Sequence, residues 1–366
     1  MNEPTMPLVS IGMPCYNVSA DVERAIRSIQ DGLYSNWELV CVDDGSTDST
    51  PEILNRIASC DERVKVYRQH NGGVSKARNS CIEHAHGKYL AWVDPDDTVE
   101  PEFLDRIISL MENEQADYCV MAYRQKNLAQ NATQWQTVHL RDNYLFNSTE
   151  EILHNYFPRI IGVSVDSIVH YYRGGGNFYD GHEGGMMWRH VYRMDIIKQH
   201  NIICNDSIVL NEDGIFNCEY MRYAKHMVSV DLPLYNYIIK PSGGLMSNIN
   251  SGKMLYNKIS LLKARNLLES EIHKQFSLSI LPMYAGSVVL SLLQMMAYAV
   301  EQNDKEAYSL VKQYYDNPVT RKAVDMLPLG KRVKFSIPLL LLKLRMPGLL
   351  HLAMLCADKV GIKFNA

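Results

Sequence analysis

"WELVCVDDGSTDSTPEILNRIA", residues 37–58, decides the fold. Residues 37–44 read as a strand buried in a sheet and closed by Asp43 and Asp44. Residues 48–58 open a helix, with Ser49 or Thr50 as N-cap and Pro51 in its first turn. The same cycle of strand, polar loop and helix runs outward in both directions. Upstream, "LVSIGM" (8–13) is a strand ending at Pro14, and Val22, Ala25, Ile26, Ile29 and Leu33 give residues 20–33 helical spacing. Downstream, strands are expected at 64–68, 88–94 and 117–123, with helices over 73–86 and 101–113. This alternation predicts an α/β fold with a mostly parallel, Rossmann-like sheet flanked by helices. In such sheets ligands bind beyond the carboxyl ends of the strands, near a reversal of strand order. The loops "PCYN", "DDGSTD", "HNGGVSKARN" and "DPDD" each follow a strand, so they are expected to converge on one crevice.

Composition narrows the function. A chain of 366 residues, 46% hydrophobic, buries a substantial core, and a formal net charge of −4 does not suit a general nucleic-acid binder. The eight cysteines form no C-x-x-C pair and no zinc-ligand spacing, which predicts reduced, buried thiols. "MNEPTMPLVSIGMP" has no basic region before its short apolar stretch, so a secretory signal is not expected and the cytoplasm is the expected location.

Neither G-x-G-x-x-G after the first strand nor G-x-x-x-x-G-K-[ST] is present, which argues against a dinucleotide-binding dehydrogenase or a P-loop nucleotidase. "LAWVDPDDTVEP" (90–101) instead sets Asp94, Asp96, Asp97 and Glu100 behind an apolar strand. A lone D-x-D is often a helix-capping turn. Several carboxylates at one strand end repel one another unless a cation neutralises them, and hard oxygen ligands suit Mg²⁺ or Mn²⁺ bridging a substrate diphosphate. Gly72 and Gly73 allow close backbone approach, and Arg78 can neutralise a phosphate. A carboxylate at Asp43 or Asp44 can accept from a base N–H or a ribose hydroxyl; the alternative is a turn whose Asp, Gly and Ser serve its backbone.

Together "VSIGMPCYN", "WELVCVDDGSTDST", "NGGVSKARN" and "AWVDPDD" resemble, in order and spacing, the N-terminal half of family 2 glycosyltransferases, an inverting family with the A-type glycosyltransferase fold. The resemblance is strong over residues 7–125 and weaker to about 248. It implies a nucleotide-diphospho-sugar donor, usually UDP-linked, and a divalent metal, Mn²⁺ or Mg²⁺. By the same resemblance Pro14, Tyr16 and Asn17 line the base and ribose side, Asp43 contacts uracil or ribose, and Arg78 faces the diphosphate. Asp94 and Asp96 form the D-x-D, with Asp96 the direct metal ligand; Pro95 stands where the family often has Ser or Ala.

"LNEDGIFNCEYM" (210–221) resembles the family's E-D-x-x-F segment, which implies Asp213 as catalytic base and Glu212 as its orienting neighbour or an acceptor contact. Two acids before an apolar helix are also a good N-terminal cap. "MWRHVYRMDII" (187–197) resembles the segment W-x-K-L-Y-R, with His190 in place of lysine. Trp188 there is either a sugar-stacking platform or a buried structural side chain. Lys240, in "LYNYIIKPSGGLMS", reaches toward the diphosphate or is solvated. The glycine-rich stretch 172–185 reads as a lid, an acceptor loop or a linker insertion, with His182 and Glu183 as acceptor candidates.

From about 252 the pattern turns helical, giving an expected division into a catalytic domain, 1–248, and a helical region, 249–366. Residues 277–300 carry no charge and are long enough to span a bilayer, but their serines, glutamine, proline and glycine favour a packing helix. Residues 321–366 hold nine Lys and Arg against two acids, interleaved with apolar runs. That suits an anionic membrane surface, with packing on the catalytic domain or on a second copy as the alternative. The expected function is transfer of one sugar to a hydroxyl of a glycan or lipid-linked acceptor, in polysaccharide synthesis at the inner face of the membrane, with no nucleic-acid partner. A nucleotidyltransferase, or a sugar-nucleotide-binding scaffold without activity, is the competing reading.

Overall fold

The computed structural model describes residues 8–130, 132–173, 177–179, 182–241, 251–330 and 333–359. The strands are β1 (Val9–Cys15), β2 (Trp37–Asp43), β3 (Val64–Arg68), β4 (Tyr89–Trp92), β5 (Thr98–Val99), β6 (Tyr118–Asn127), β7 (Gln136–Val138), β8 (Leu145–Phe146), β9 (His190–Arg193) and β10 (Met227–Ile239). The helices of the first half are α1 (Val22–Gln30), α2 (Thr50–Ala58), α3 (Val74–His84), α4 (Phe103–Asn113), α5 (Thr149–Asn155), α6 (Pro158–Ile161) and α7 (Val165–Tyr172). They continue as α8 (Met194–Gln199), α9 (Glu212–Met221), α10 (Ser251–Phe276), α11 (Leu281–Gln302), α12 (Lys305–Asp316), α13 (Pro318–Met326), α14 (Val333–Lys343) and α15 (Pro347–Lys359).

The chain divides into two compact units, 1–154 with 185–247, and 155–184 with 248–366. Residues 155–184 thus pack with the C-terminal helices, a long-range association that a division at 248 does not anticipate. In the first unit the sheet order is β3-β2-β1-β4-β9-β6-β10-β5, with β7 on β6 and β8 on β10. β3, β2, β1 and β4 are mutually parallel. All seven residues of β1 and of β2 are buried, as expected for strands covered on both faces. The register draws β1 and β4 close because Gly12 has no side chain: a Cβ there would stand 2.4 Å from Trp92 Cζ3.

Beyond β4 the sheet is mixed. β9 enters antiparallel between β4 and β6, and β10 pairs parallel with β6. β9 is only four residues long and belongs to "MWRHVYRMDII", where the 3.6-residue helical period after Arg193 hides a short strand.

His190, the departure from the resembled segment, lies in that strand. It is fully buried, stacks on Tyr118 at 5.1 Å with ring planes 6° apart, and its Nδ1 donates to Met186 O at 2.8 Å. Burial lowers its pKa to about 3, helped by Arg189. The unfolded chain therefore binds the proton first, so this group's stability contribution is complete above pH about 6.5 and is lost progressively as pH falls toward 3. By pH 5 the loss is about 2 kcal/mol. Denaturant titrations at pH 7 and pH 5 are expected to show a smaller difference for His190→Asn than for the parent; equal slopes would remove His190 from the acid response.

In the second unit α11 is the core, with thirteen buried residues and packing from α7, α12, α13 and α15. Among the described residues it is also the one helix long and apolar enough to cross a membrane, and 67% of its most apolar window is buried within the protein. Seven cysteines are described as free thiols, all buried except Cys60.

Candidate active site

Strand order reverses between β1 and β4, and the loops after β1, β2 and β4 meet beyond their carboxyl ends. After β1, Pro14 is itself buried in the strand opposite Val42, while Tyr16 is half exposed. Asn17 adopts a left-handed φ of 53°, a conformation its short amide tolerates. Its backbone N donates to Ser46 Oγ at 2.9 Å, and its Oδ1 accepts from Thr47 N at 2.8 Å. The first two loops are thereby tied together.

The paired acids after β2 have separate tasks. Asp44 is the anchor of α3: its carboxylate accepts from Gly72 N at 2.9 Å, Gly73 N at 2.8 Å and Gln69 Nε2 at 2.7 Å. Gly73 holds φ at 88°, which a side chain would strain, so the glycine pair presents its N–H groups to Asp44. Asp43 is 1% exposed; its Oδ1 accepts from Ser46 N at 3.0 Å, and Arg68 Nε lies 3.1 Å from Oδ2. That contact is an ion pair without hydrogen-bond alignment, so Oδ2 keeps an acceptor position without a donor.

The four acids after β4 also separate. Asp97 accepts from Tyr235 Oη at 2.9 Å and from Ile238 N at 2.8 Å, and Glu100 accepts from Asn236 Nδ2 at 2.7 Å and pairs with Arg124. Both are satisfied by protein donors. Asp94 and Asp96 remain. Tyr235 Oη also accepts from Asp94 N at 3.0 Å, so one phenol fixes the acidic turn at two points. Burial pushes the Asp94 carboxyl up to about 7; Arg78 opposes this, and Asp96 and Asp213 add to it. Asp96 is more exposed, with Lys240 Nζ 3.5 Å from Oδ2, and the same ammonium bonds Asp21.

Tyr235→Phe is expected to destabilise the first unit by about 1–3 kcal/mol, because Asp97 and Asp94 N each lose a partner in a buried setting. Chemical denaturation measures this, and a change below about 0.5 kcal/mol would dismiss the phenol as the brace.

The third side of the cluster comes from α9. Asn211, with φ 67°, turns the chain into the helix, and Glu212 and Asp213 occupy its first turn, where acids suit the helix dipole. Arg78 Nη1 donates to Asp213 Oδ1 and, at 3.1 Å, to Glu212 Oε1; all three are largely buried. Asp213 Oδ2 accepts from Met187 N at 3.1 Å. Burial opposes the charge on Arg78, and Asp213, Asp94 and Glu212 outweigh it and hold the guanidinium protonated. Burial and then Asp213 push Glu212 up to about 8. Asn217 seats α9 on the sheet: its Oδ1 accepts from Tyr118 and Tyr192 hydroxyls, each at 2.7 Å, and its Nδ2 donates to Gly185 O at 2.8 Å and Asp213 O at 3.0 Å.

Arg78 was expected to face a diphosphate; its Nη1 is instead engaged by the acids of α9, because α3 and α9 meet there. Trp188 is 3% exposed, stacked on Tyr235 at 4.3 Å and on Tyr237 at 5.3 Å, with Tyr123 edge-on at 5.0 Å. Of the two alternatives for Trp188, the buried structural side chain is the one observed, since its ring faces are taken by tyrosines. His182 and Glu183 fall in the second unit, His182 ring-to-ring with Tyr179 and Glu183 buried with Arg159 at 3.8 Å. Residues 174–176 and 180–181 of their loop, and 242–247 after Lys240, lie outside the described residues. Tyr235, Asp21, Asn217 and Arg68 are site residues that sequence reasoning missed.

A divalent ion fits the pair Asp94 and Asp96. Among the described residues no three His, Cys, Asp or Glu side chains are grouped to enclose a metal, so a bound ion would complete its shell with phosphate oxygens and water. The raised Asp94 carboxyl lacks the positive charge that such an ion provides, and the donors are hard oxygens suited to Mg²⁺ or Mn²⁺.

Residues 10–178 match the family model described as glycosyl transferase family 2. The uncharacterised glycosyltransferase EpsJ of Bacillus subtilis is 29% identical over 240 residues, covering 65% of this chain and 62% of that protein. The putative teichuronic acid biosynthesis glycosyltransferase TuaG of the same organism is 36% identical over 32% of this chain and 47% of that protein. The chain therefore spans less than two thirds of either relative's length. Residues 1–349 of S. aureus TarS, crystallised with UDP-GlcNAc, superpose with a TM-score of 0.59 at 16% identity, over 97% of this chain and 92% of that one. At that identity the likeness is one of fold, and it bears out the A-type glycosyltransferase architecture expected from the sequence.

Proposed function

We propose that the chain, whose residues 10–178 match the model of glycosyl transferase family 2, is a metal-dependent inverting glycosyltransferase of polysaccharide synthesis. It moves one sugar from a nucleotide diphosphate, UDP-linked, to a hydroxyl of a glycan or lipid-linked oligosaccharide on the cytoplasmic side of the membrane. The observation that carries this reading is the gathering of Asp94, Asp213 and Glu212, from segments more than a hundred residues apart, about the buried guanidinium of Arg78, with Asp96 acting on Asp94. A scaffold that only bound the nucleotide would have no use for the α9 acids in that cluster.

Each side chain then has a task. Asp43 Oδ2, the acceptor without a donor, takes an N–H or hydroxyl of the nucleoside, and Tyr16 and Asn17 belong to the loop tied to the turn that follows it. Asp94 and Asp96 would hold a Mn²⁺ or Mg²⁺ ion. When bound, that ion supplies positive charge against the charge that develops on the departing diphosphate. Lys240, already beside Asp96, adds a second positive charge on the same side. Asp213 accepts the proton of the acceptor hydroxyl as that oxygen forms its bond to the anomeric carbon and the bond to the nucleoside diphosphate breaks. Arg78 and Met187 N fix the direction of the Asp213 carboxylate, and Glu212, whose carboxyl burial and Asp213 push up, shares Arg78. Two crystal structures of one structural neighbour, TarS with UDP-GlcNAc and TarS with UDP, support the choice of a uridine donor.

The test is a panel of nucleotide sugars assayed for nucleotide release with glycan and lipid-linked acceptors. Release of UDP from one UDP-sugar is expected, dependent on acceptor and on Mn²⁺. Release of GDP alone would overturn the donor assignment, and release from none of the panel would overturn the transfer reaction.

A further inference from the structure

Exposed apolar side chains and positive charge fall in the same part of the helical unit. α14 buries Leu339 and Leu342, yet Ile337 and Leu340 on its other side are open to solvent, and Leu344 continues that stripe at the i, i+3, i+7 spacing. Met346 lies in the turn to α15, which buries Leu350 and Met354 while exposing Leu349 and Leu352. These six exposed side chains are between 39% and 59% accessible. A surface helix of a water-soluble unit is polar on its outer face; this hairpin exposes large apolar side chains from both helices and from the turn between them, the pattern of a surface that meets something apolar.

Charge selects what it meets. Residues 321–366 carry nine Lys and Arg against two acids, in a chain whose total is −4. A second copy would bring two such positive segments together, which like charges oppose. An anionic bilayer surface complements both the charge and the apolar stripe. α14 and α15 have 11 and 13 residues, short of the ~20 needed to cross a bilayer, with Pro338 inside the first and Pro347 starting the second. Lys331, Arg332 and Lys363, and the side chains of Lys334 and Lys359, lie outside the described residues, so their part in the charge is a matter of sequence.

We propose that the α14–α15 hairpin docks shallowly on a membrane of anionic phospholipid, with Ile337, Leu340, Leu344, Met346, Leu349 and Leu352 entering the boundary between headgroups and acyl chains. This rests on the hairpin's surface and not on the transfer reaction, so the two stand or fall separately. The test is flotation of the full chain with vesicles of phosphatidylcholine alone and with one third phosphatidylglycerol. Recovery is expected with the anionic vesicles only, reduced by 0.5 M NaCl, and lowered at least about tenfold in Leu344→Asp/Leu349→Asp/Leu352→Asp. These side chains are exposed, and an unchanged thermal transition would show that the variant folds. Equal recovery of parent and variant, or recovery of neither, would overturn the proposal. So would a dimer in sedimentation that the variant dissolves, because the face would then be covered by a second copy.

Discussion

Replacing Asp213 with Asn is expected to lower kcat by about 10²–10⁴ while leaving UDP affinity close to that of the parent. The amide keeps the shape of the carboxylate and its oxygen can still accept from Met187 N or Arg78, so the first turn of α9 retains its place. What is lost is the basic oxygen that removes the acceptor proton. Single-turnover transfer with saturating donor separates the two properties. A variant that turns over at the parental rate would take the base role away from Asp213. Glu212 would be the next residue to replace, because it is the neighbouring carboxyl that shares Arg78.

The second large effect is on stability. Arg78→Met removes a buried guanidinium and leaves Glu212 and Asp213 facing each other without it, a loss of about 3–5 kcal/mol. One acid must then keep its proton in the folded state, so its folded pKa rises above the unfolded value. The deficit is therefore greatest at high pH and shrinks as pH falls toward the ordinary carboxylate range. Adding Glu212→Gln removes the repulsion and is expected to recover part of the loss. Urea titrations at pH 8 and pH 5.5 check both statements; a pH-independent deficit under 1 kcal/mol would mean that Arg78 does not neutralise these acids.

The parallel half of the sheet was legible because its signals are local. Trp37 to Asp43 is buried along its whole length, Pro51 marks the first turn of α2, and Gly72 and Gly73 precede α3, so period and punctuation sufficed. Asp94, Asp96 and Asp213 could be proposed from motif order, and the fold brings them to one place. What was hidden depends on contacts far along the chain. Tyr235 braces the acidic turn across 141 residues, and Asn217 reaches Tyr118 across 99. The four acids of residues 90–101 divide for the same reason: Asp97 and Glu100 find donors on β10, which no local pattern announces. Trp188 looked as much like a sugar platform as a core residue until β10 supplied Tyr235 and Tyr237 to cover it.

Calorimetric titration of UDP into the full chain, with Mn²⁺ and with chelator, tests the central claim most directly, that Asp94 and Asp96 hold a divalent ion against a nucleotide diphosphate. Tighter binding with Mn²⁺ in the parent, and equal, weak binding under both conditions in Asp96→Ala, is the expected result. Parental affinity that is the same with and without the metal would contradict it.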